Sequence, residues 1–143
     1  MTIHLIKLSV GPQSLIDLEA RQKSYLKSLK EKNKKPELMH ITRQMPKRAE
    51  ELLDGGSIYW VIKGWVCARQ KLIELRPLVI DDIPHCGLVF ENELIRVSPR
   101  PRRPFQGWRY LEAKDAPPDI SQNEYHKDLP ETLLAELMKI GLI

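Results

Sequence analysis

The stretch from Ser57 to Leu75 constrains this chain most. In it Ile58, Trp60 and Ile62 alternate with Tyr59, Val61 and Lys63, the pattern breaks at Gly64, and a second limb runs from Trp65 to Leu75. A period of two belongs to a β-strand, and two limbs joined by a Lys-Gly turn predict an antiparallel hairpin. With apolar residues in both phases, at least one of Tyr59, Trp60 and Trp65 falls in the core.

The flanking segments read in the same way. Thr2 to Val10 alternates as a strand and is closed by Gly11-Pro12. Ser14 is placed to cap a helix whose apolar side carries Leu15, Leu18, Tyr25, Leu26 and Leu29, and whose exit holds Lys30, Lys32, Lys34 and Lys35 before Pro36. Leu38 to Thr42 is a short strand. Pro46 suits the first position of a short helix that Gly55-Gly56 would stop. Pro77 to Pro84 reads as a loop, Gly87–Phe90 and Leu94–Val97 as a second hairpin about Glu91-Asn92-Glu93, and Gly107–Leu111 as a last strand. Asp115 to Lys127 is a polar surface connection. Asp128 and Pro130 then open a closing helix with Leu133, Leu134, Leu137 and Ile140 on its buried side, ending at Gly141. The order predicts an α+β domain: a small, mostly antiparallel sheet or partly open β-barrel, with an N-terminal helix, a short helix and a C-terminal helix.

Composition sets the outer bounds. A chain of 143 residues with 42% apolar and 29% charged residues has the size and balance of a single domain, 1–143. No apolar run approaches a bilayer span, and the N-terminus lacks the long apolar core of a signal peptide, so the expected location is cytoplasmic. There Cys67 and Cys86, the two thiols, are expected to be reduced and buried. A net charge of +4 permits a polyanionic partner without demanding one.

The charge is unevenly spread. Arg96, Arg100, Arg102, Arg103 and Arg109 follow one another with no carboxylate between Glu93 and Glu112, and Pro99, Pro101 and Pro104 stiffen the run. Guanidinium forks grip phosphate, and Phe105, Trp108 and Tyr110 offer faces on which a base can stack. Arg43, Lys47 and Arg48 lie around the helix start expected at Pro46, where free N–H groups already favour an anion. These residues point to nucleic acid, RNA rather than duplex DNA, or to another phosphate-bearing ligand. No metal-ligand spacing and no nucleotide- or cofactor-binding fingerprint is present, so no metal and no cofactor is expected.

Two long stretches, from Thr42-Arg43 through Pro46–Leu53, Gly55–Ser57 and Tyr59–Gly64 to Ala68-Arg69-Gln70, and then Arg100–Leu111, are similar to an uncharacterised alphaproteobacterial family, domain of unknown function number 1489. The resemblance covers essentially the whole chain and implies a bacterial protein usually found as one domain. It brings no activity. A looser resemblance is to the small PUA-like β-barrels of pseudouridine synthases and archaeosine transglycosylases, which often bind RNA or modified bases. Hydrolases of that barrel type imply lysine, threonine and glutamate as catalytic groups, for which Thr42, Lys63 and Glu74 are the nearest set, with His40 and Arg69 on neighbouring predicted strands. The alternatives to a binding module are therefore a hydrolase acting on a nucleotide or modified base, and a protein-interaction adaptor without chemistry.

Overall fold

In the computed structural model, which describes residues 1–120, the elements run β1 (Ile3–Leu8), α1 (Leu15–Glu31), β2 (Leu38–Thr42), α2 (Ala49–Leu52), β3 (Ser57–Ile62), β4 (Trp65–Ile80), β5 (Ile83–Phe90), β6 (Ile95–Pro101) and β7 (Trp108–Glu112), followed by a 3₁₀ turn, Ala113–Asp115. The fold is mixed α+β. Seven strands form one open sheet in the order β2-β5-β4-β3-β1-β7, with β6 added to β4. All pairs are antiparallel except β1 with β3, which α1, β2 and α2 separate in sequence.

The predicted hairpin is the centre of this sheet. Lys63 (φ 49) and Gly64 (φ 85) both take left-handed backbone, the two-residue turn that matches strand twist. Every residue of β3 is buried, because the strand is covered on both faces. On one face α1, capped as expected by the Ser14 hydroxyl accepting from the Asp17 N–H at 3.0 Å, packs with Ile3, Leu5, Ile58, Trp60, Leu72 and Leu88. On the other, Ile6, Tyr59, Val61, Val66, Val97 and Leu111 form a second cluster. The segment after the 3₁₀ turn closes that side: Arg69 holds Asp119 with two bonds of 2.7 and 2.6 Å, and the Ser98 N–H donates to the Pro118 carbonyl.

Several expectations are corrected. Pro77–Pro84 is not a loop but the tip of a long β4–β5 hairpin, turned by Asp81 (φ 51) and Asp82 (φ 62). Proline is tolerated there because β4 beyond Leu72 pairs with β5 alone, and Pro84 precedes the part of β5 that β2 covers. The segments around Glu91-Asn92-Glu93 do not form a hairpin. Both edges of Cys86–Phe90 are taken by β4 and β2, so β6 passes on to the open edge of Trp65–Arg69. The short helix begins at Ala49 rather than Pro46 and makes a single turn. Pro46 is itself buried in the preceding loop, which β7 side chains hold. The sheet does not close into a barrel: among the described residues its edge strands β2 and β7 share no backbone pairing. The closing helix expected from Asp128 to Gly141, and the connection beyond Ile120, lie outside the described residues.

Cys67 and Cys86 are buried and unbridged, and burial pushes the Cys67 thiol up to about 12. Gly56 is the glycine most closely approached by backbone atoms among the described residues. Its N–H donates to the Leu52 carbonyl at 2.9 Å, ending α2, and a Cβ there would collide with the carbonyl oxygens of both Ile3 and Leu52. Neither oxygen can yield without moving a strand or the helix. Gly56→Ala is therefore expected to cost at least about 2 kcal/mol. The check is the urea midpoint, which should fall with an unchanged slope.

Candidate nucleic-acid interface

The arginine-rich run is built from the end of β6, the β6–β7 connection and the start of β7. Arg100 sits on β6 opposite Val66. Arg102 and Arg103 follow in the connection, whose path is anchored by the Arg102 N–H donating to the Gly64 carbonyl at 2.8 Å. Phe105 is half-buried against the second core cluster and serves as the local support. The Arg102 guanidinium carbon lies 5.3 Å from the centre of its ring and that of Arg109 lies 5.7 Å away. Each such contact at an exposed site is worth about 0.5–1 kcal/mol. Arg100, Arg102, Arg103 and Arg109 are all exposed, and none has an ion-pair partner among the described residues.

The loop after β2 meets the other face of β7, where Trp108 and Tyr110 pack against the α1-side cluster while Phe105 packs against the opposite one. Trp108 and Tyr110 stand edge to face with ring centres 4.9 Å apart. The Trp108 indole N–H donates to the Gln44 carbonyl at 3.4 Å, and the Tyr110 hydroxyl accepts from the Arg48 backbone N–H at 3.2 Å. Lys47, Arg109, Trp108 and Tyr110 thereby line a common cleft of about 310 Å³. The two stretches singled out in the sequence are thus neighbours, although not every cation is available. Arg48 lies over the Tyr110 ring at 5.5 Å and is bonded to Glu51, which raises its pKa and lowers that of the carboxyl. Arg43 donates to the Pro84 carbonyl at 2.9 Å. The one-turn α2, with its first free N–H taken by Tyr110, presents no helix-start anion site of the kind expected at Pro46.

The residues considered for hydrolysis do not come together. The β2–β5–β4 register puts His40 and Thr42 on the α1 side of the sheet and Glu74, opposite Val89 and Met39, on the other. Glu74 is bonded there to Arg76, which also grips Glu37 at 2.7 Å. Lys63 occupies the exposed β3–β4 turn. Arg69 is committed to Asp119 and, at 2.9 Å, to the Ser57 hydroxyl. His40 alone of the set lies against Trp60, edge-on with ring centres 6.0 Å apart, in a cavity between α1 and the sheet. No group of three His, Cys, Asp or Glu residues placed to hold a metal occurs among the described residues, and no helix among them is long and apolar enough to cross a membrane.

Sequence reasoning missed two polar groups beside that cavity. Gln70 is fully buried. Its Oε1 accepts from the Trp60 indole and from Gln22, both at 2.9 Å, and its amide donates back to Gln22 at 2.8 Å and to the Glu91 carbonyl at 3.1 Å. Lys7 is the other. A signal existed for it, since Lys7 continues the apolar phase of Ile3 and Leu5; for Gln70, only the register reveals its partners.

Fold and site together define a small mixed α+β domain that carries a cationic, aromatic-lined cleft at one end of an open sheet. The family model described as Protein of unknown function (DUF1489) matches residues 5–143, and the chain belongs to that family. No curated protein and no solved structure matches the chain.

Two histidines are expected to make the fold acid-sensitive. Burial, with the nearby Lys7 charge, lowers His40 from 6.5 to about 4. Burial and Arg69 lower His4, whose Nδ1 accepts from the Ser57 N–H at 3.0 Å and so must be unprotonated. In both cases the unfolded chain binds the proton more readily, so stability is complete above about pH 6.5 and is lost as pH falls toward the folded pKa. The loss is bounded by roughly 1.4 kcal/mol per pH unit for each histidine. Thermal unfolding from pH 7.5 to 5 should show Tm falling below about pH 6.5, above the range where carboxylates contribute. His40→Gln should flatten part of that fall, and a flat wild-type profile would contradict the assignment.

Proposed function

We propose that this protein is a nucleic-acid-binding module that acts in the bacterial cytoplasm and prefers single-stranded or structured RNA to duplex DNA. The observation that carries the reading is the Arg102–Phe105–Arg109 cluster, set among exposed arginines without acidic partners among the described residues. Arginine binds phosphate through paired donors, while an aromatic edge left accessible beside it accepts unstacked bases and has no access to the stacked bases of a duplex. Lys47, with Trp108 and Tyr110 in a cleft on the other face of β7, offers the same combination of a cation and aromatic rings. As part of the same proposal we read the sheet as a partly open barrel of the PUA-like kind, whose ends are linked by Trp108 and Tyr110 reaching the loop after β2.

The test is the salt dependence of binding to a single-stranded RNA. Log K should fall linearly with log salt, by about 0.7 per phosphate contacted. The variant Arg100→Ala/Arg102→Ala/Arg103→Ala should reduce that slope by about 2 if each arginine holds one phosphate. Phe105→Ala should weaken binding by about 1–3 kcal/mol while leaving the slope unchanged, since stacking releases no counterion. An unaltered slope in the triple variant would remove the arm from the interface, and equal affinity for a duplex DNA of the same length would remove the preference for RNA.

A further inference from the structure

The cavity beside His40, about 330 Å³ in volume, lies between α1 and strands β1, β2 and β3. It is lined by three cationic or basic side chains, Lys7, Arg21 and His40, and by no carboxylate among the described residues. Arg21 is held from outside by Asp17 at 3.2 Å and by the Gly11 carbonyl at 3.4 Å. Lys7 has no such partner: it is half-buried, and it makes no hydrogen bond or ion pair with any described residue. Burial lowers its pKa, and its charge contributes to keeping His40 neutral. A half-buried ammonium without a counter-charge is unfavourable, and an anion entering the cavity would relieve that cost.

The walls specify what else the ligand carries. In the sheet register Lys7 is directly opposite Trp60 of β3 and Trp108 of β7, so the three side chains form one row on the α1 face. Trp60 is locked by its bond to Gln70, and Tyr25 faces the cavity from the helix while remaining half exposed. One fixed aromatic wall and a second at the helix surface, one cation without a described partner, a neutral imidazole able to donate or accept, and a volume at the lower end of small-molecule sites fit a flat ring bearing one anionic group.

We propose that this cavity binds a nucleoside monophosphate unit, with the phosphate on Lys7 and the ring among Trp60, Tyr25 and Leu18. The unit can be a free mononucleotide or one nucleotide of a strand that reaches the neighbouring Trp108, and the proposal stands apart from the interface reading.

Calorimetric titration of the full chain with AMP, GMP, CMP and UMP, with the matching nucleoside and with inorganic phosphate, tests it. At least one monophosphate should bind in roughly the micromolar range, about tenfold or more tighter than its nucleoside and than phosphate alone. Lys7→Met should lose about tenfold or more of that affinity while raising the Tm of the free protein, because an uncompensated charge is removed; Lys7→Arg should retain binding. Tyr25→Ala, on an exposed helix surface that folding tolerates, should weaken binding whether or not the Lys7 variants fold. Arg102→Ala/Arg103→Ala removes mononucleotide binding that belongs to the arm, so affinity that persists in that variant and is lost in Lys7→Met belongs to the cavity, whether or not the arm binds a strand. A trinucleotide that binds more tightly than the monophosphate, and loses that advantage in the arginine variant, identifies a strand as the source. Equal affinity and no such loss identify the free nucleotide. The proposal is overturned if none of the four binds below about 1 mM, if nucleoside or phosphate alone binds as well, or if neither the Lys7 nor the Tyr25 variants weaken binding.

Discussion

The α1 side of this fold is pinned by one buried amide. Gln70 has both polar atoms of its side chain satisfied, by Trp60, Gln22 and the Glu91 carbonyl, and so joins β4 to β3, to α1 and to the β5–β6 connection in a single network. An amide left unpartnered at that depth would cost on the order of 1–3 kcal/mol, whereas a fully partnered one fixes geometry that apolar packing alone leaves adjustable. The consequence is local rigidity. Trp60 cannot rotate without giving up its bond, and its ring stays edge-on to Phe90 at 5.7 Å and to His40.

Arg69, the neighbouring residue on β4, does the same for the opposite face. Successive side chains of a strand point to opposite sides, so adjacent polar residues in the middle of a sheet reach two different layers. Arg69 draws in Asp119 and the Ser57 hydroxyl, and with them the segment after β7 that covers Ile6, Tyr59 and Val97. Strand β3 can be buried throughout because these two residues fasten both covers. The register shifts of β4 at Val66/Ala68 and Leu72/Glu74 bend it, which lets its first half pair with β3 and β6 and its second half with β5.

What the sequence discloses follows from how local the cause is. The Ser14 cap, the Lys63-Gly64 turn and the β2 strand depend on residues within a few positions of one another, and each is readable. The arginine run is readable too, because an absence of carboxylates is a property of composition. The β4–β5 hairpin was hidden by two prolines and by a turn of two aspartates, whose positive φ is less expected than that of Asn-Gly. The route of β6 depends on which sheet edges are free, and no local pattern encodes that. The cavity is less legible still: Lys7, Tyr25 and Trp60 come from three distant segments, and only the parallel pairing of β1 with β3 sets Lys7 beside Trp60. The hydrolase set failed for a related reason, since the irregularity between Leu72 and Glu74 shifts the pairing that would have to be known to assign Glu74 a face.

The distribution of acids explains how a modest net charge leaves a cationic surface. Among the described residues Asp17 and Glu19 are paired within α1, Glu51 with Arg48, Glu37 and Glu74 with Arg76, Asp119 with Arg69, and Glu112 with Lys114. The neutralising contacts are thus made on the helices, along β4 and beyond β7, away from the Arg100–Arg103 stretch. Bringing guanidiniums together is opposed by their mutual repulsion, which water and salt screen within roughly 10 Å. The Phe105 ring offsets part of it by offering its electron-rich face to Arg102 and Arg109. The ring is therefore the support that lets two like charges sit against one side chain, itself anchored on the second core cluster.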